Sequence, residues 1–416
     1  MMHALIRWIK MNQLNLFELT KKTYRIEKPI RLIELFAGIG AQAEALKRLQ
    51  VSYENYRVIE FDQHAIDSYN AIHGTQFNIT DITKATADDL QIVDKDHYEY
   101  IVTYSFPCQD LSKSGKGRGM RKGSGTRSGL LWEVERLLKE CTELPQILLM
   151  ENVPDVIGKK NIKDFQQWLS VLEGLGYSNY VECLNAKNFG IPQIRNRAFM
   201  VSILGDYFYD FPKPIPLHLR LKDLLEEEVD KSYYLNREQL RKVLSGKFEQ
   251  HKRFADINGI CYTLTTKPEK IIGDAASNQH LRSEHILYEM LDMEAELSYK
   301  KGLAVNENTK KGYAVAEDGD GIYIDRPYQK RGVVQKGMIQ TLKTSSHDVA
   351  VVSEVNHGTA FYVRTLTAKE YWRLMGFDDE AYEKAAKVNS RTQLYKQAGN
   401  SIVIDVLVAI FRQLFP

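Results

Sequence analysis

Between Ile30 and about Leu204, short apolar runs alternate with longer stretches whose apolar residues recur every three or four positions. IRLIELF, YRVIEF, YEYIVTYSF, QILLMENV and RAFMVSIL read as strands, and the amphipathic stretches between them as helices. This alternation predicts a doubly wound, Rossmann-like α/β domain over residues 29–209. At Asp210 the pattern changes. The Pro-rich turn FPKPIP opens a segment, 210–362, that is rich in Lys, Gly, Tyr and Thr and has few long apolar runs. A second, smaller and irregular domain is expected there. Residues 363–416 return to a helical pattern and end in SIVIDVLVAIFRQLF, where Val403, Val406, Leu407, Ile410, Phe411 and Leu414 form one apolar face. That face is expected to pack back on the first domain. Residues 1–28 form an N-terminal extension, and neither an internal repeat nor a low-complexity tract is present.

A chain of 416 residues exceeds what one core holds, so two domains are the default. Its 56 Lys and Arg balance 54 Asp and Glu, so any affinity for a polyanion must come from local clustering rather than net charge. Cys108, Cys141, Cys183 and Cys261 lack the spacing of a zinc site, and no signal peptide precedes them. A reducing cytoplasm, no disulfide framework and no metal are expected. No membrane span is expected either, because the longest apolar candidate, Ile402 to Leu414, is interrupted by Asp405 and Arg412.

The first strand runs through Phe36 into Ala37-Gly38-Ile39-Gly40, and a helix follows at once. Two glycines allow a tight turn that a ligand can approach closely. Glu60 closes the next strand, where such units place a carboxylate against a ribose hydroxyl, and Asp81 ends a third segment. Taken alone, the turn suits a nicotinamide dinucleotide equally well. The fourth strand delivers Ser105-Phe106-Pro107-Cys108-Gln109 to the carboxyl edge of the sheet, where open α/β sheets bind ligands. Residues 113–127 then hold Lys113, Lys116, Arg118, Arg121, Lys122 and Arg127, no acid and five glycines. They read as a mobile basic loop able to close over a phosphate backbone and to lower a thiol pKa. The next strand ends in Glu151-Asn152-Val153 at the same edge, and Arg195 and Arg197 precede the last strand. A guanidinium can hold a carbonyl and a neighbouring carboxylate in fixed geometry.

FAGIG, Glu60, Asp81, SFPCQDLS, ENV, QIRNR, RTLTAKEYWRLMGF and QAGNSIVIDVL, in this order, resemble the motifs of the DNA (cytosine-5)-methyltransferases and span the chain from Arg31 onward except its middle. The resemblance implies S-adenosyl-L-methionine as methyl donor, surrounded by Phe36, Gly38, Gly40, Glu60, Asp81, Pro107, Asn400 and Ser401. It implies Cys108 as nucleophile toward cytosine carbon 6, Glu151 at ring nitrogen 3, and Arg197 with Arg195 near the cytosine carbonyl. Carbon 5 is a poor nucleophile until a thiolate adds at carbon 6, and an acid of raised pKa at nitrogen 3 favours that addition. Duplex DNA is the implied partner, contacted by Lys113, Arg118, Arg121 and Arg127, with the target base flipped out of the stack. The run GSGTRSGLLWEVER resembles bacterial CpG-methylating enzymes, although their target sequence is not carried over. In this family the middle domain reads the target and carries a Thr-Leu pair. Thr263-Leu264 and Thr341-Leu342 both qualify, and Thr341 lies nearer the expected distance from Arg364. A monomer in a bacterial or phage system, with or without a companion restriction enzyme, is the expectation. An RNA methylase of the same fold and a non-catalytic DNA-binding homologue are the alternatives. The large middle domain and basic loop favour DNA, and intact Cys108, Glu151 and Arg197 favour catalysis.

One segment is unexplained by the resemblance. Gln13-Leu14-x-Leu16-Phe17 resembles the short peptide by which bacterial proteins dock on the replicative sliding clamp, offering three apolar anchors and an amide on a polar tail. An amphipathic helix packing on the catalytic domain is the competing reading. If the peptide docks, purified clamp recovers wild-type protein in a pull-down and loses most of a Leu16→Ala/Phe17→Ala variant; equal recovery of both ends the idea.

Overall fold

The strands of the first half take their character from burial on both faces. In the computed structural model, which describes residues 22–111, 118–235, 302–326, 329–344, 348–355 and 360–416, the central strands expose almost nothing. β1 (Lys22–Thr23) precedes β2 (Ile30–Leu35), β3 (Tyr53–Ile59), β4 (Glu99–Tyr104), β5 (Ile147–Asn152) and β6 (Tyr177–Asn185). β7 (Gln193–Ile194), β8 (Asn196–Leu204) and β9 (Tyr207–Phe208) follow. One six-stranded sheet has the order β3-β2-β4-β5-β8-β6. β4 and β5 are buried at every residue, as their unbroken apolar runs require, whereas the edge strands β3 and β6 are only partly buried.

The α/β class is as the sequence indicates, but the sheet is mixed rather than wholly parallel. β3, β2, β4 and β5 run parallel, whereas β8 is antiparallel to both β5 and β6. β6 carries too many polar residues to read as a strand from its sequence, and it is what returns the chain for β8 to run backwards. Ile33, Leu35, Val102, Tyr104, Leu148 and Met150 face one side and pack with Trp132, Leu137, Phe165 and Trp168 from helices Leu131–Glu140 and Ile162–Gly174. On the other side Glu34 meets Tyr69 of helix Gln63–His73. Helix Ile404–Arg412 buries Ile404, Val406, Leu407, Ile410 and Phe411 and is tied to helix Ala41–Arg48 by Arg48 and Asp405 at 3.0 Å. Each such side chain contributes roughly 1.5–3 kcal/mol on burial. Together with Arg391–Asn400 this helix forms a 22-residue stretch apolar enough, by composition, to cross a membrane. Ser401–Val403 breaks the stretch, and 61% of its most apolar window is buried in the core.

Two compact units result. The first comprises Met1–Ile191, Arg195–Pro216 and Met375–Pro416, and the second Pro192–Ile194 and Leu217–Leu374. The boundaries therefore fall later than the sequence suggests. In the second unit β10 (Leu303–Asn306) pairs with β11 (Tyr313–Ala316), and β12 (Gly321–Tyr323), β13 (Val334–Gln335), β15 (Val349–Val355) and β16 (Ala360–Thr365) form a four-stranded antiparallel sheet. β14 (Ile339–Gln340) pairs in parallel with β7, which is why three residues of the QIRNR approach join this unit. Arg364 and Glu370 explain the late return. The Arg364 guanidinium donates two bonds to the Glu370 carboxylate, at 2.8 and 2.7 Å, and both residues are buried. Glu370 also accepts the amides of Glu226 and Thr367 at 2.8 Å each. The RTLTAKE segment is thus a polar lock inside the second unit.

Replacing Glu370 with Gln leaves the Arg364 charge buried without its counter-ion and is expected to cost about 3–5 kcal/mol of stability. Urea denaturation measures it; a loss under 1 kcal/mol would show that the pair is not a lock.

Candidate active site

The glycine turn sits at the carboxyl end of β2 and takes a left-handed path, with φ of +57° at Phe36, +58° at Gly38 and +80° at Gly40. At Gly40 a Cβ would lie 2.2 Å from His73 Nε2, so only glycine lets helix Gln63–His73 pack this closely. At Gly38 a Cβ would meet nothing within 4 Å, so the turn opens onto free space there. Glu60, one residue past β3, reaches across to accept the amides of Gly38 (2.9 Å), Phe61 (2.8 Å) and Asp62 (2.8 Å). Burial raises its pKa against these bonds. The Glu60 carbonyl accepts the Thr80 amide at 2.8 Å, which brings Asp81 to the same edge. Asp81 ends no strand; its carboxylate accepts the amide and hydroxyl of Thr83, which hold it below the usual range. Phe61 is 74% exposed beside Glu60. Sequence reading passed over it, although its place next to the carboxylate was the available signal.

Below the turn lies a buried polar group. Glu34 accepts the Tyr69 hydroxyl, and burial pushes its carboxyl up to about 8. His73 approaches the Ile39 carbonyl at 3.2 Å and is pushed down to about 4 by burial. It is therefore neutral at pH 7, and its 3.5 Å approach to Glu44 is not an ion pair.

The thiol is positioned by backbone clamps. Asn152, the last residue of β5, donates to the Phe106 carbonyl at 2.9 Å, and Ser128 donates to the Pro107 carbonyl at 2.6 Å. Cys108 follows at once, half-buried. Glu151, the residue before Asn152, is 8% exposed and pairs with Arg197 at 3.0 Å. β8 runs backwards, so its first residues lie at the edge where β5 ends, in the register Asn152 to Ala198. A parallel β8 would have put Arg197 at the opposite edge, ~25 Å away. Cys108, Glu151, Arg195 and Arg197 consequently share one electrostatic neighbourhood. Burial raises the Cys108 thiol, Arg197 and Arg195 oppose it, and Glu151 adds to it. Burial likewise raises Glu151 against the two arginines.

Two expectations need correction here. Among the described residues the cations that oppose the rise of the thiol are Arg197 and then Arg195, and the net direction is upward because burial outweighs them. Nor are residues 118–127 free. The Gly119 amide donates to the Asp110 carbonyl (2.9 Å), Thr126 to the Gly119 carbonyl (3.0 Å), Trp132 to the Met120 carbonyl (2.7 Å), and Lys122 to Glu135 (2.5 Å). Arg127 donates to Gln109 at 2.6 Å, Arg121 is exposed, and Lys113 lies outside the described residues. Arg195 is held by backbone carbonyls. It is 3% exposed and donates to the carbonyls of Gly399 (3.0 Å) and Ser401 (2.7 Å), with its pKa pushed down to about 9 by burial and then by Arg197. It thereby anchors the Asn400-Ser401 segment beside the Cys108 neighbourhood, which no sequence signal announced. Thr341 belongs to the second unit, where its hydroxyl donates to the Ile194 carbonyl at 2.5 Å and the Leu342 amide to Gln193 Oε1 at 3.3 Å. Thr263 lies outside the described residues.

Comparison with known proteins decides the family. The sequence model for C-5 cytosine-specific DNA methylases matches residues 30–416. The chain belongs to that family. It is a DNA (cytosine-5)-methyltransferase by this match and by its relatives. The type II methyltransferase M2.ScrFI of Lactococcus lactis subsp. cremoris is 29% identical over 93% of this chain and 99% of its own length. The orphan methyltransferase M.SssI of Spiroplasma monobiae is 36% identical over 50% of this chain and 68% of its own. In fold, the methylase resembles the crystal structure of S. pombe Dnmt2 methyltransferase, with a TM-score of 0.57 at 18% identity over 92% of this chain and 98% of that one.

The buried pair beneath the turn makes the methylase pH-sensitive in a signed way. The unfolded chain sheds the Glu34 proton near 4.5, whereas the fold keeps it to about 8. Stability from this residue is full below the lower value and drains as pH rises through the upper one. Glu34→Gln is therefore expected to flatten the alkaline fall in Tm between about pH 5 and 8. An unchanged fall in thermal melts would remove Glu34 as its source.

Proposed function

We propose that this methyltransferase acts on a cytosine flipped from duplex DNA, and that the reaction is carried by Cys108, Glu151 and Arg197. The supporting observation is the Glu151–Arg197 pair at 3.0 Å with the Cys108 thiol in its field. Cytosine carbon 6 is shielded inside the stack, so the base must leave the helix to meet the thiol. The Cys108 thiolate adds to carbon 6. The raised Glu151 carboxyl hands its proton to nitrogen 3, and the ring becomes an enamine whose carbon 5 is nucleophilic. Arg197, already oriented by Glu151, holds the cytosine carbonyl oxygen. Protonated Glu151 removes the negative charge that raises the thiol and leaves Arg197 and Arg195 to favour the thiolate, so nucleophile and acid are coupled. After methylation, carbon 5 gives up its proton to solvent water, Cys108 leaves carbon 6 as the thiolate, and nitrogen 3 returns its proton to Glu151.

S-adenosyl-L-methionine fits the residues at the turn and supplies a methyl group activated on a sulfonium. Glu60 offers a carboxylate for the ribose hydroxyls, the exposed Phe61 ring a face for the adenine, and Gly38 an open approach. Asp81, Pro107, Asn400 and Ser401 complete the proposed surround. The second unit is proposed as the target-recognition domain. The seating of Thr341-Leu342 on Gln193-Ile194 supports that pair as the family's Thr-Leu element. Both type II and orphan enzymes occur among the relatives, and a cytoplasmic bacterial or phage setting suits either.

Cys108→Ala is expected to lower methyl transfer at least ~1,000-fold while cofactor affinity stays within a factor of about two, and Glu151→Gln to lower kcat ~100-fold. Labelled-methyl transfer to duplex DNA and to transfer RNA, run side by side, checks both residues and substrate. Label on transfer RNA alone, or full activity without Cys108, would overturn the proposal.

A further inference from the structure

Asp110 lies two residues beyond the nucleophile and is an acid in otherwise basic surroundings. It is 2% exposed. Its carboxylate accepts Arg118 Nε at 3.1 Å and the Arg127 amide at 3.0 Å, and its carbonyl accepts the Gly119 amide at 2.9 Å. The Arg118 side chain is 58% exposed, so a buried carboxylate grips a guanidinium whose outer edge faces solvent. Among the described residues only its Nε is engaged. A guanidinium held by Nε presents Nη1 and Nη2 as a fixed fork, the geometry that takes a phosphate with two parallel bonds.

We propose that Asp110 is a positioning residue for DNA, which orients Arg118 for a backbone phosphate next to the nucleophile. The inference rests on the proposed DNA substrate. Coulomb's law alone points the other way: the Asp110 charge offsets that of Arg118, so its removal should make the surface more positive and tighten DNA binding. Orientation and bulk charge therefore predict opposite signs for one substitution. The gain from Asp110 is geometric, since the side-chain freedom of Arg118 is surrendered in the fold instead of on binding.

Duplex binding of the full chain is measured against salt concentration for wild type, Asp110→Asn, Arg118→Gln and the double variant, with cofactor affinity as a check on folding. Asp110→Asn is expected to weaken binding about 5–10-fold and to reduce the slope of log K against log salt by about 0.9, the value of one phosphate contact. In the Arg118→Gln background it should add nothing, whereas a general distortion of the fold would persist there. Arg118→Lys, which keeps the charge and loses the fork, should match Arg118→Gln and decides the matter if Asp110→Asn does not fold. Tighter or unchanged binding by Asp110→Asn, an equal loss in the Arg118→Gln background, or wild-type affinity in Arg118→Lys overturns the inference. If the wild type binds no duplex, the proposed substrate falls and this inference with it.

Discussion

The ion pair between Glu151 and Arg197 is the contact around which the candidate active site is assembled, because it joins the end of one strand to the start of its antiparallel neighbour. A buried carboxylate with a raised pKa and a half-buried thiol are each costly in their charged forms. Two guanidiniums reduce that cost for both, and the two acids in turn compensate the arginines. Loss of one partner changes the protonation of the remainder, so the site behaves as a unit.

Around this centre, side chains clamp carbonyls rather than touching the reacting groups. Asn152 and Ser128 fix the peptide units immediately before Cys108, and Arg195 fixes those on either side of Asn400. Precise placement of the proposed nucleophile needs such support, since a misplacement of one ångström is expensive in rate. The same logic governs the glycine turn. There Glu60 braces the Gly38 amide, and the absence of a side chain at Gly40 allows His73 and Tyr69 to close beneath it.

The second unit depends on a different kind of constraint. Among the described residues its apolar core gathers Leu303, Val305, Ile322, Val333, Ala350, Val352 and Val363. Polar locks supplement it, of which Arg364 with Glu370 is the most buried. Removing one partner of such a buried pair leaves an uncompensated charge, so internal ion pairs tie short, irregular strands together.

Much of this was legible in the residues. The unbroken apolar runs of β2, β4 and β5, the left-handed glycine turn, and the delivery of Cys108 and Glu151 to one edge all follow from local pattern, because side-chain period and strand direction decide them. Other features depend on residues far apart in sequence. The reversal of β8 rests on β6, a strand too polar to recognise alone, and only that reversal carries Arg197 to Glu151. The direction of the Cys108 shift could not be read from a count of nearby lysines and arginines, since burial outweighs charge and burial is a property of the packed chain. Likewise Arg195 looked like its neighbour Arg197, but Arg197 pairs with Glu151 whereas Arg195 is fixed to the backbone carbonyls of Gly399 and Ser401. Sequence determined which chemical groups were available and which edge most would reach; the tertiary structure decided their partners, because desolvation and hydrogen bonding are settled only when distant segments meet.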